Sequence, residues 1–193
     1  MTYKMENKIL VVGCGGIGSY LARELNRLIL NEQIDLSQVE ITLADFDKVE
    51  LKNIKYQNFT TDVSSKYCLN CIEKAITSEE QLKEYNFIIS CVDNAKARKL
   101  IIDYCFKENK YFIDLRAESR AIAIFTKTDK MKKEDILRTI DLKNKKSMSC
   151  QLSYELENNI IQNGNLIVAS ICSQLVLNKL RGEKNQENYR FYF

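Results

Sequence analysis

Lys8-Ile9-Leu10-Val11-Val12-Gly13-Cys14-Gly15-Gly16-Ile17-Gly18-Ser19 is an apolar run of strand length that breaks into glycines and then opens a helix. From Gly16 to about Leu30 the apolar residues Ile17, Leu21, Leu25 and Leu28 recur at helical spacing, with no breaker among them. Glycines between a strand and a helix let backbone N–H groups approach a phosphate, and the helix N-terminus adds favourable electrostatics. Gly13, Gly15 and Gly18 satisfy G-x-G-x-x-G, so the stretch reads as a nucleotide loop. An NAD reading is open at this point, and the bland alternative is a tight turn that binds nothing.

Working outward, the alternation continues. Val39 to Ala44 is a second strand, and the polar stretch from Asp45 to Asn58 leads to a helix beginning near Asp62. Asn86 to Val92 is a buried strand, followed by a helix from about Asn94 to Glu108. Tyr111 to Leu115 and Ala121 to Phe125 are further strands, and Asn165 to Leu180 is a strongly apolar helix stopped by Gly182. The tail from Tyr189 to Phe193 reads as a final edge strand. Strands alternating with helices predict an α/β fold: a Rossmann-like, mainly parallel sheet with helices on both faces and a C-terminal antiparallel extension. No repeat or linker divides residues 1–193, so a single domain is expected.

Residues 126–150 form a basic crossover segment. Between Lys127 and Lys146 there are eight basic and four acidic residues but no aromatic ring to stack on a base, so a solvated loop with a short helix is preferred to a nucleic-acid patch.

Composition narrows the chemistry. The chain has 193 residues, 29 Lys+Arg against 26 Asp+Glu, and no histidine, proline or tryptophan. Without histidine there is no Ser-His-Asp or Cys-His machinery and no His-ligated metal. Apolar residues make up 45%, too many for a disordered chain, and no run has the length of a membrane span. The seven cysteines are an odd number, and the charged start Lys4 to Lys8 does not read as a secretory leader. A reducing cytoplasm is therefore expected, rather than a disulfide framework. Cys68-x-x-Cys71 is the one close cysteine pair, in a segment that also reads as an ordinary helix, and a four-cysteine zinc site would need a second pair.

The second strand ends in Asp45-Phe46-Asp47, where an acid can accept hydrogen bonds from the ribose of either NAD or ATP. The next residues, Lys48-Val49-Glu50-Leu51-Lys52-Asn53-Ile54-Lys55-Tyr56-Gln57, separate the two. With the glycine loop they resemble the ThiF/MoeB/HesA family, adenylyltransferases related to ubiquitin-activating enzymes. Its pattern is G-x-G-G-x-G-S followed by D-x-D-x-V-x-x-x-N-L-x-R-Q. Cys91-Val92-Asp93-Asn94-Ala95-Lys96-Ala97-Arg98 is similar to the family's strand-end D-N-x-x-x-R, and Gly164 to Gly182 to its late helix ending in L-x-G.

The resemblance implies that the carboxylate terminus of a small β-grasp protein ending in Gly-Gly, ubiquitin-like or sulfur-carrying, attacks the α-phosphate of ATP. A carboxylate is already ionised near neutral pH, so a histidine-free protein can run this reaction. It further implies that Gly13, Gly15, Gly16 and Gly18 form the phosphate loop and that Asp45, with Asp47 beside it, holds the ribose. Asn53 and Gln57 would line the nucleotide pocket, Asp93 would bind Mg²⁺, and Lys66 would contact phosphate. A homodimer is implied as well. Cys150, with Lys145 and Lys146 nearby, is the candidate for a covalent second step, the alternative being an unreactive cysteine at a helix start. Arg98 reads as a structural ion pair, and Cys14, Cys91, Cys105 and Cys172 as core.

Departures from the pattern mark a minimal member. Tyr56 replaces the arginine of N-L-x-R-Q, Lys66 lies one residue too close to Asp62-Val63, and no arginine precedes Lys8. Glu73 to Tyr85 is short for a long helix plus third strand, and both zinc-binding pairs are missing. A family member that binds partners without turnover, and an NAD-binding protein, stay open as alternatives.

Overall fold

The structure is a computed structural model, and it describes residues 7–47, 58, 69–140, 154, 157, 158 and 162–193. Ile9 to Val12 of β1 (Asn7–Val12) are all buried, as a strand must be when helices cover both faces of its sheet. β1 pairs in parallel with β2 (Val39–Asp45) on one side and β4 (Phe87–Ser90) on the other. Outside these lie β3 (Asn70–Glu73), parallel to β2, and β5 (Tyr111–Glu118), parallel to β4. The antiparallel strands β6 (Ala121–Thr126) and β7 (Asn188–Tyr192) complete the order β3-β2-β1-β4-β5-β6-β7. The expected fold class is therefore the observed one, including the antiparallel extension.

The period-two alternation of the strands sorts the core into two layers. Ile9 and Val11 face one layer with Ile17, Leu21, Leu25 and Leu28 of α1 (Gly16–Leu30) and Val168, Cys172 and Val176 of α4 (Gly164–Leu180). Leu10 and Val12 face the other with Ile101, Ile102 and Cys105 of α2 (Ala95–Lys107) and Ile136 of the short α3 (Lys133–Leu137). Arg23 and Arg27 occupy the exposed side of α1, which gives that helix one apolar face. No helix among the described residues is long and apolar enough to cross a membrane.

The third strand is a correction. The helical reading of the Cys68–Cys71 segment does not hold at Cys71, which lies exposed on β3. Its partner Cys68 lies outside the described residues. Four residues with mostly exposed side chains carry too little periodicity to announce a strand, and it is the free edge of β2 that supplies the pairing. The third strand thus ends at Glu73, the first residue of the Glu73 to Tyr85 span, and the rest of that span holds only a turn of 3-10 helix at Glu79–Leu82.

The described part of the basic segment is largely committed to folding. Lys127 Nζ donates to the carbonyl of Cys105 and to Asn109 Oδ1, each at 2.9 Å, and Lys133 pairs with Asp103 at 2.7 Å. Residues 141–150 lie outside the described residues.

Candidate nucleotide-binding site

β1 and β4 are neighbours although β2 and β3 intervene in sequence, so the connections leave β1 and β4 in opposite directions. Such a switch point opens a crevice at the strand C-termini, where open α/β sheets bind their ligands. The glycine loop fills it. The Gly13 N–H donates to Ala44 O at 2.9 Å and the Cys91 N–H to Val12 O at 2.8 Å, stitching the loop between β2 and β4.

Two of the glycines are obligatory. Gly13 has φ of +90°, and a Cβ there would stand 3.0 Å from Cys91 O. A Cβ on Gly18 would sit 1.9 Å from Gly13 O, inside the backbone of the loop itself. This close packing brings the first turn of α1 against the end of β1. The first N–H groups of a helix lack intrahelical acceptors, and no acidic residue stands in this first turn to satisfy or neutralise them.

Asp45 ends β2 beside this loop. One of its oxygens accepts from the backbone N–H of Cys14, and the other accepts from the N–H of Asp47 at 2.9 Å. The acid therefore braces the loop, and each oxygen retains a second lone pair for a ribose hydroxyl. Burial, then the nearby Asp45 carboxylate, pushes the Cys14 thiol up to about 12, so this cysteine is a protonated loop residue and not a nucleophile. The core reading holds fully for Cys105 and Cys172, which are buried; Cys14 and Cys91 are only partly covered and border the crevice. Ser19 Oγ accepts from the Asn58 N–H at 3.0 Å, which places Asn58 against the first turn of α1.

On the β4 side the four-residue spacing of Asn94 and Arg98 has a structural explanation. Asn94 Oδ1 caps α2 by accepting from the N–H groups of Lys96 and Ala97 at 2.8 and 3.3 Å. Arg98, one turn later, is buried; it pairs with Asp114 at 2.8 Å and donates to the carbonyl of Val92. It is the structural ion pair its position led us to expect. Asp93 is left exposed at the strand end, with no ion-pair partner among the described residues. Mg²⁺ bound with nucleotide commonly takes one or two carboxylates, the rest of its shell coming from phosphate and water, and an exposed carboxylate here suits that donor set.

The structure thus brings Gly13, Gly15, Gly16, Gly18, Asp45, Asp47 and Asp93 to one end of the sheet. Asn53, Gln57, Lys66 and Cys150 lie outside the described residues. A cavity of about 680 Å³ opens from Cys91, Val92 and Asp93 across β5 and β6 to Arg190 on β7. Its arginines were missed in the sequence, apart from Arg98. The signal was the pair of charges Asp114 and Arg116 interrupting the apolar residues of β5, since a buried acid on a strand requires a cation.

The family model for ThiF matches residues 4–67 and 55–193. The chain belongs to the ThiF family. Among curated relatives, tRNA threonylcarbamoyladenosine dehydratase of Haemophilus influenzae is 29% identical over 53% of this chain and 44% of its own length. Ubiquitin-like modifier-activating enzyme 5 of Drosophila ananassae is 34% identical over 46% of this chain and 21% of its own length. This ThiF-family chain therefore spans less than half the length of the curated relatives it matches. Two solved structures share the fold: PaaA, with a TM-score of 0.65 and 19% identity over 97% of this chain and 61% of that one, and E. coli MccB with AMPCPP and MccA, with 0.66 and 17% over 97% and 60%.

Proposed function

We propose that this chain is an ATP-dependent adenylyltransferase that activates the terminal carboxylate of a small β-grasp protein or peptide. The observation that carries the reading is the loop braced by Asp45 at the N-terminus of α1, facing the exposed Asp93, which has no ion-pair partner among the described residues, across the switch point. Membership of the ThiF family supports it, as do relatives named for activating a ubiquitin-like modifier and a similar fold solved with ATP.

In this reading the helix N-terminus and the loop N–H groups hold the phosphates and Asp45 the ribose. Asp93 holds Mg²⁺, which supplies charge neutralisation at the phosphates when bound. A carboxylate oxygen of the acyl substrate bonds to the α-phosphorus as the bond to the bridging oxygen breaks, and pyrophosphate leaves with that electron pair. The nucleophile arrives ionised, so no side chain has to accept a proton. What the protein contributes is positioning and electrostatic stabilisation. Asn53, Gln57 and Lys66 complete the nucleotide pocket in this proposal, and Cys150 is its candidate for thioester transfer. The partner is a ubiquitin-like or sulfur-carrier protein ending in Gly-Gly, met by a homodimer in a reducing cytoplasm; the odd number of cysteines supports that compartment.

The test is formation of AMP and pyrophosphate from Mg-ATP with such a partner, for the native chain and for Asp93→Ala. Activity in the native chain, lost in Asp93→Ala at unchanged melting temperature, supports the reading. Stabilisation by Mg-ATP without AMP identifies a partner-binding subunit instead. Stabilisation by NAD alone removes the adenylation reading.

A further inference from the structure

Beyond Asp93 the cavity runs onto the antiparallel end of the sheet, where the strand register builds a second feature. Arg116 of β5, Ala123 of β6 and Arg190 of β7 form one cross-strand row and stand on the same face. Strands lie about 4.8 Å apart, so the two arginines leave the sheet roughly 10 Å from each other with only a methyl group between them. In the next row Ala121 lies between Glu118 and Tyr192, which extends the small-residue floor along β6. The guanidiniums of Arg116 and Arg190 both rest on Phe125, 4.6 and 5.3 Å from the ring centre. The result is a trough with an alanine floor, an aromatic end and a cation on each side.

Its charges do not balance at that end. Asp114 is fully buried and gives one oxygen to Arg98 and the other to Arg116, at 2.8 and 2.7 Å, so one carboxylate serves two guanidiniums. Arg190 is exposed and has no ion-pair partner among the described residues, and Arg116 Nη2 is buried with no hydrogen-bond partner among them, so the charge of Arg116 is incompletely compensated. Glu118 stands exposed at the rim and Asp93 lies toward the nucleotide loop, so neither neutralises the Phe125 end.

We propose that this trough receives an acidic side chain of the acyl substrate, a glutamate or aspartate within a few residues of the carboxylate being activated. The proposal rests on the adenylation reading and narrows its substrate. A cavity of about 680 Å³ exceeds what a bare pair of glycines fills. The alanine and phenylalanine surfaces suit the methylene stem of such a side chain, while its carboxylate meets the exposed Arg190 guanidinium in charge-assisted hydrogen bonds and lies in the field of the Arg116 guanidinium on the other side of Phe125. A free phosphate would use the cations and leave the apolar walls bare.

The test is titration of the full chain, without nucleotide and at low ionic strength, with acetyl-Ala-Glu-Gly-Gly, acetyl-Ala-Gln-Gly-Gly and pyrophosphate. The glutamyl peptide is expected to bind about tenfold more tightly than the glutaminyl one, with the difference shrinking as salt rises. Arg190→Gln, on the exposed edge strand, should remove most of that preference, and Arg190→Lys should keep part of it. Arg116→Lys, checked for folding by its melting temperature, should weaken the preference in the same way. Equal binding of the two peptides, binding of neither, or a preference untouched by the Arg190 changes overturns the proposal. So does finding that only pyrophosphate binding depends on Arg190. AMP formation separates the two readings: a glutamyl preference in binding without AMP leaves the trough standing and defeats adenylation, and equal AMP formation from both peptides does the reverse.

Discussion

The carboxylate of Asp45 and the backbone N–H of Cys14, 31 positions apart in sequence, are joined by a hydrogen bond that fastens the glycine loop to the end of β2. The same carboxylate accepts from Asp47, so one acid shapes the loop and its own flank. Asp45→Asn replaces an acceptor with an amide that cannot accept both bonds. The expected outcome is a loss of about 1–3 kcal/mol of stability by urea denaturation and at least a tenfold loss of ATP affinity. Unchanged values of both would mean that the loop holds its shape without this brace.

Gly18 has no room for a side chain, because a methyl group would meet the Gly13 carbonyl, which cannot rotate out of the way as a side chain could. Gly18→Ala is expected to destabilise the fold by about 3 kcal/mol and to abolish nucleotide binding. Denaturation and ATP titration of the same preparation check both effects.

Among the described residues Asp114 is the single buried counter-charge for Arg98 and Arg116. Asp114→Ala leaves two guanidiniums without it and should cost about 3–5 kcal/mol. Arg116 also holds Thr139 through its carbonyl and hydroxyl oxygens at 2.9 Å, so amide hydrogen exchange just beyond α3 should accelerate in the same variant.

Asp103 sits between Lys99 and Lys133. Partial burial works to raise its pKa, but the hydrogen bonds and charges of Lys133 and Lys99 prevail and hold it below the ordinary carboxylate value. A carboxyl group whose pKa is lower folded than unfolded binds more protons in the unfolded state. Its stabilisation is therefore full above the unfolded value of about 3.9 and is lost as pH falls through the folded one. Asp103→Asn should lose up to about 1 kcal/mol at neutral pH, and the gap to the native protein should close in acid. Thermal melts across that range read it directly.

The cysteines should separate by reactivity. Burial holds Cys14 and Cys105 at about 12 and pushes Cys172 up as well, while Cys71 is exposed on β3. Native alkylation near pH 8 should therefore modify Cys71 first, Cys14 only slowly because its thiol stays protonated, and Cys105 and Cys172 only on unfolding, as peptide mass spectrometry would show. Prompt modification of Cys14 would mean that the loop opens in solution.

Much of this molecule can be read along the chain because its signals are local. The strand of apolar residues ending at Val12, the helical spacing from Ile17 to Leu28 and the acid at Asp45 are each set by neighbouring residues. Together they establish the alternation, the sheet class and the end of the sheet where the glycine loop and Asp45 meet. β3 escaped because its four residues make a strand only by pairing with β2. Asp45 as a brace, Arg98 as the partner of Asp114, and the row Arg116–Ala123–Arg190 escaped for a similar reason: each depends on register and contact between segments distant in sequence. Periodicity along the chain can say which face a side chain takes. Which charges then share that face is decided only when the strands are laid side by side, and the electrostatics of a site depend on those distances.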